Sequence, residues 1–62
     1  MPIVNIHILE GRTVEQKRKM VASVTKAISE SIDVPEDKVR IIISNMAFED
    51  FAHAGKLTVD TK

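Results

Sequence analysis

Two β-branched runs stand on either side of one amphipathic stretch, and that order leaves the chain few ways to fold. From Ile3 to Leu9 the side chains alternate, with Val4, Ile6 and Ile8 on one face and Ile3, Asn5, His7 and Leu9 on the other. A period of two over β-branched residues is the pattern of a strand. Pro2 stands at its first residue, where a strand tolerates proline. Glu10-Gly11-Arg12 breaks the alternation, and Gly11 supplies a turn. Thr13-Val14-Glu15-Gln16 then reads as a capping box, with Thr13 as N-cap and Gln16 reaching back to it. Beyond it Met20, Val21, Val24, Ala27, Ile28 and Ile32 recur at helical spacing, while Lys17, Arg18, Lys19, Ser23, Lys26 and Glu30 fill most of the opposite side. The spacing predicts a helix over Val14 to Ile32. Pro35 ends it by disfavouring helix at Val34. The second strand runs from Lys38 to Met46, with Val39, Ile41 and Ile43 on one face and Arg40 and Ile42 on the other. Ile41-Ile42-Ile43 predicts a centre buried on both faces.

Strand, helix, strand implies a right-handed crossover and two parallel strands, an α/β (α+β) subunit. A two-stranded sheet is too small to stand alone. The tail holds Ala54-Gly55-Lys56, the turn of a short C-terminal hairpin. With 62 residues the chain is a single domain, residues 1–62. Burial of roughly 3,500 Å² of apolar surface at about 25 cal/mol/Å² contributes ~90 kcal/mol, and ordering at ~1.5 kcal/mol per residue opposes it with ~90. The monomer sum is near zero. Disulfides, a metal or self-association rescue such small chains. There is no cysteine, so disulfides, thiolate zinc sites and cysteine nucleophiles are excluded, and His7 and His53 are too few for a metal cluster. Association remains.

Nine basic residues balance nine acidic ones, which removes the charge surplus of a nucleic-acid binder. Phe48 and Phe51 are the only aromatic residues, too few for base-stacking platforms. No apolar stretch is long enough to span a membrane and no targeting segment is visible, so a cytoplasmic location is expected.

Three features could carry chemistry. Removal of Met1 would leave Pro2 with a free secondary amine at the head of a buried strand. The reference α-amino pKa is about 8, and low dielectric or nearby cations lower it. Such an amine suits a general base moving a proton at carbon, although proline also follows methionine without any role. Arg40 lies in an apolar strand, where a guanidinium needs an anion. A substrate carboxylate held by the donor fork would serve, as would a salt bridge across a subunit interface. Arg12 is either a second anion ligand or a solvated turn residue. Phe51 offers an aromatic wall for a flat ligand or an anchor in an interface. His7 is a proton shuttle or a structural histidine.

Together these residues resemble the 4-oxalocrotonate tautomerase family. The resemblance rests on Pro2-Ile3-Val4-Asn5-Ile6-His7-Ile8-Leu9-Glu10-Gly11-Arg12, on Glu15-Gln16-Lys17, and on Val39-Arg40-Ile41-Ile42-Ile43 with Met46. It spans essentially the whole chain. It implies a β-α-β subunit with a C-terminal hairpin, assembled as a homohexamer, a trimer of dimers with shared active sites. It also implies conversion of dienols such as 2-hydroxymuconate to the conjugated 2-oxo acid, without cofactor or metal. Pro2 would then be the general base. Arg40 would hold the carboxylate and carbonyl oxygen near the reacting enol, and Arg12 the far carboxylate. Phe51 and Leu9 would line the substrate, and the arginines would act on a neighbour's Pro2. Where the family is richer in glycine, this chain has Ala52-His53-Ala54-Gly55. The rival expectations are tautomerase or hydratase activity on another α-keto or unsaturated acid, and a non-catalytic oligomeric ligand-binding module.

Overall fold

The computed structural model describes residues 1–61. Strand β1 (Ile3–Leu9) leads into helix α1 (Val14–Ile32), which crosses over to strand β2 (Arg40–Met46). The strands pair in parallel from Ile3 opposite Arg40 to Leu9 opposite Met46. Strand β3 (Ala52–His53) and strand β4 (Lys56–Leu57) form an antiparallel hairpin, followed by a single turn of helix, α2 (Thr58–Thr61).

Local chemistry accounts for the boundaries. The capping box forms as expected: the Thr13 N–H donates to Gln16 Oε1 at 2.9 Å, and the Gln16 N–H donates to Thr13 Oγ1 at 3.0 Å. At the other end Asp33 adopts a left-handed conformation with φ 58°, closing the helix one residue before Val34. The Val34 N–H and Ser29 carbonyl are 3.2 Å apart, and the Ser29 hydroxyl donates to the Val34 carbonyl at 2.6 Å. The second strand begins two residues later than its apolar pattern suggests. Glu36–Lys38 winds into a 3-10 turn after Pro35, which takes Lys38 and Val39 out of the ladder: their N–H groups donate back to Pro35 and Glu36.

The helix covers one face of the sheet only. Lys17, Met20, Val21, Val24, Thr25, Ile28 and Ser29 form its half-buried stripe over Val4, Ile6, Ile8, Ile41 and Ile43. Ala27 and Ile32, expected in that stripe, are exposed; Thr25 and Ser29 take the inward positions. Within the protomer the centre of β2 is covered on one face only, and no layer of described residues lies over the outer face, the face expected to meet other subunits. Ile42 is 54% exposed and Ile3 56%.

No described residue is fully buried. A compact chain of this mass exposes roughly 4,000 Å², whereas this protomer exposes 4862 Å². Its radius of gyration is 14.6 Å, against about 11 Å for a compact chain of this length. The extents of 43 × 24 × 13 Å describe a slab one helix and one sheet thick. This shape carries the association argument further than the length did: the outer sheet face, with Ile3 and Ile42, has no covering layer of its own.

Candidate active site

Each expected site residue is placed by an identifiable local device. Pro2 is half-buried at the head of β1, and its carbonyl accepts from the Arg40 N–H at 3.0 Å. Pro2 and Arg40 therefore sit at the same end of the sheet. The Arg40 side chain is exposed and donates through Nη1 to the Asp37 carbonyl at 2.6 Å, so the 3-10 turn before β2 steadies the guanidinium. Among the described residues the only ion pair joins Glu15 to Arg18, which leaves Arg40 without a carboxylate partner in its own subunit.

Leu9, Arg12 and Phe51 gather at the opposite end. Gly11 has φ +112°, a backbone conformation that side-chain-bearing residues rarely adopt, and it turns the chain so that Arg12 stands just ahead of the capped helix. A Cβ at Gly11 would meet nothing within 4 Å, so the backbone angle, not crowding, explains the glycine. Phe51 arrives from the C-terminal segment. The Glu10 N–H donates to the Met46 carbonyl at 2.7 Å, and its carboxylate accepts from the Phe48 N–H at 3.3 Å. These bonds clamp the 3-10 turn Phe48–Asp50, and the Phe51 carbonyl accepts from the Thr58 N–H at 2.9 Å to hold the hairpin arm.

A cleft of about 490 Å³ lies among His7, Ile8, Leu9, Arg12, Met46 and Phe51. Three of the expected site residues thus share one cleft, and Pro2 and Arg40 are not among its walls. Seven residues of strand at roughly 3.3 Å each put Pro2 about 23 Å from Leu9. One subunit cannot bring the five together.

Ile8, Glu10 and Met46 stand in the runs that carry the resemblance, but neither their roles here nor the lining role of His7 follows from those runs. Met46 had a usable signal, since pairing Ile3 with Arg40 puts Leu9 beside Met46 by counting alone. Glu10 had none: its link to Phe48 joins residues 38 apart in the chain.

The model of the tautomerase enzyme family matches residues 2–61. A 2-hydroxymuconate tautomerase of Pseudomonas putida is 51% identical over 57 residues, covering 92% of this chain and 90% of the relative. Among solved structures, a 4-oxalocrotonate tautomerase isozyme from Methylibium petroleiphilum superposes with a TM-score of 0.94 at 45% identity, covering 97% of this chain and 94% of that one. A heterohexameric 4-oxalocrotonate tautomerase from Chloroflexus aurantiacus gives a TM-score of 0.93 at 29% identity, with complete coverage of both chains. The match runs through both strands, the helix and the hairpin: the chain belongs to the tautomerase family and is an isomerase.

Proposed function

We propose that the protein is a cofactor-independent tautomerase of 2-hydroxymuconate-type dienols, working as a homohexamer, a trimer of dimers, with Pro2 as general base. The observation that carries this reading is the division of the site residues between the two ends of one sheet. Two copies packed through their outer faces with strands running in opposite directions bring the Pro2 end of one against the Leu9, Arg12 and Phe51 end of the other, and Arg40, like Arg12, is supplied to each Pro2 by a neighbouring subunit of the trimer of dimers. A two-fold pair makes the Pro2–Arg12 exchange twice.

Within such a site the chemistry follows from the groups supplied. Met1 precedes Pro2 in this chain, and its removal converts an amide nitrogen into a secondary amine with a lone pair. That amine takes the proton of the 2-hydroxyl group. The oxygen electron pair becomes the new carbonyl, the diene electrons shift, and the distal carbon receives the proton back from the prolinium. Arg40 holds the carboxylate and carbonyl oxygen beside the reacting enol and stabilises the charge that develops there. Arg12 holds the far carboxylate and draws electron density toward it. Phe51 and Leu9 keep water from the amine, which favours its neutral form.

The test is the ultraviolet-monitored ketonisation of 2-hydroxymuconate by protein whose mass shows that Met1 is gone. Conversion well above the buffer rate is expected. Replacing Pro2 by Ala leaves a primary amine in place of the ring's secondary amine and should slow it by up to about 10²–10⁴-fold, the full contribution of a positioned base. An assembled wild-type protein with free Pro2 and no acceleration would sink the reading, and unchanged turnover by Pro2→Ala would remove proline from it.

A further inference from the structure

Two side chains able to hold an anion stand on the hairpin arm and take no part in the reaction above. The register sets His53 opposite Lys56 and Ala52 opposite Leu57, and the bond from the Thr58 N–H to the Phe51 carbonyl continues it by one pair. Opposed residues of an antiparallel ladder point to the same side, and the side alternates along each strand. Phe51, His53 and Lys56 therefore share one side of the arm, and Ala52 and Leu57 the other. Phe51 borders the cleft together with Arg12, so the side with the two basic residues is the cleft side. Ala54 and Gly55 hold φ 54° and 80°, the positive angles of a tight two-residue turn. They hold the His53 and Lys56 Cβ atoms about 5 Å apart. Both side chains are exposed, and among the described residues neither makes an ion pair or a side-chain hydrogen bond. Glu49 and Asp50 on the 3-10 turn and Asp60 on α2 are the nearby acids in the chain, and none pairs with them. Cation-forming groups set directly opposite repel when both are charged. An anion between them removes that cost.

We propose that His53 and Lys56 are specificity-determining residues of this site, closing from the arm over the carboxylate held by Arg12. The inference rests on Phe51 lining the substrate and Arg12 gripping the far carboxylate, as in the function proposed above. A carboxylate has about four acceptor positions, of which a bidentate guanidinium fills about two. The others are open to the Lys56 ammonium and to a His53 N–H, which an imidazole offers in either charge state. His53 follows Phe51 on the same side by two residues, about 7 Å along the strand, which sets the pair beyond the ring at the mouth of the cleft. The contact forms when the acid binds and persists as the proton moves, so it acts on kcat/KM through binding. A far end without charge gains nothing from it.

Titration calorimetry of the assembled, Met1-free protein with adipate and with its monoamide, the same shape with one neutral end, tests this without turnover. The wild-type protein should prefer adipate. In the double variant His53→Gln, Lys56→Gln that preference should fall by about two- to thirty-fold, the sum of two exposed charge contacts. Lys56→Gln alone should lower it by up to about five-fold, and Lys56→Arg, which keeps the charge, should restore it. No preference for adipate in the wild-type protein would overturn the proposal. So would a double variant that keeps the wild-type preference, including one that loses both acids alike, since that is the mark of a structural role. Should the double variant fail to assemble, the pair Lys56→Gln and Lys56→Arg decides. Turnover of 2-hydroxymuconate is measured alongside, because its absence counts against the tautomerase reading while the adipate and monoamide titrations still decide the arm.

Discussion

The division of the site between two ends of one strand predicts that two dead variants, mixed, make a live enzyme. Pro2→Ala exchanges the ring's secondary amine for a primary one and should lose up to about 10²–10⁴-fold in turnover. Arg12→Ala removes a charge-assisted grip of roughly 1.5–3 kcal/mol, or about 10–150-fold. Pro2 and Leu9 bracket β1 about 23 Å apart, so neither Arg12 nor the cleft around it can serve the Pro2 of its own subunit. In a two-fold pair built from one subunit of each variant, one site receives both substitutions and the other receives neither. If equal amounts are unfolded together and refolded, random pairing makes about half of the pairs mixed, and about half of their sites are intact. Activity should return to about a quarter of wild type, far above the average of the parents. The assay is ketonisation of 2-hydroxymuconate before and after joint refolding, with separately refolded and then mixed samples as the control. Recovery no greater than that control would refute the shared site, and Arg12 would have to act within its own subunit or not at all.

Three further outcomes follow from the protomer. Ile42→Asp places a charge on the outer sheet face, where Ile42 is 54% exposed. Burying such a side chain contributes up to roughly 1.5–3 kcal/mol, so light scattering should show smaller assemblies and denaturation at lower urea. Ala54 holds φ 54° beside Gly55 at 80° in a two-residue hairpin turn, and an alanine there costs roughly 1 kcal/mol. Ala54→Asn supplies the residue this turn favours and should raise the urea midpoint at fixed protein concentration. Gly11→Ala forces a side chain onto φ +112° at roughly 1–3 kcal/mol, and should lower both the melting temperature and kcat/KM by displacing Arg12.

What the sequence makes legible is what local chemistry decides. The alternation of Ile3–Leu9, the Thr13–Gln16 box and the helix to Ile32 all involve partners within a few residues, and each forms with the expected bounds. β2 starts two residues later than its apolar pattern predicts because Pro35 allows a 3-10 turn over Glu36–Lys38 whose bonds compete with the ladder. Ile42 is exposed in the protomer, because an apolar pattern records that a face will be covered, not whether the cover belongs to the same chain. The far side of the site was least legible. Phe51 could be singled out as one of two aromatics, but the Glu10 clamp that carries it to Arg12 depends on a long-range bond that no spacing reveals.

The exposed outer face and the incomplete site are two consequences of one geometry. A single helix can cover one side of a two-stranded sheet, so the other side, with Ile3 and Ile42, stays open whatever the sequence of the strands. The same sheet is as long as the distance between Pro2 and Arg12, so whatever covers its outer face also decides what meets Pro2. A second copy laid antiparallel satisfies both demands at once: it hides the isoleucines and delivers the Leu9, Arg12 and Phe51 end. Stability and catalysis are then coupled through one association step, and both should fall over the same range of protein concentration. Turnover that persists per subunit at dilutions where light scattering finds only protomers would break that coupling, because it would require a complete site within 62 residues that hold its parts at opposite ends.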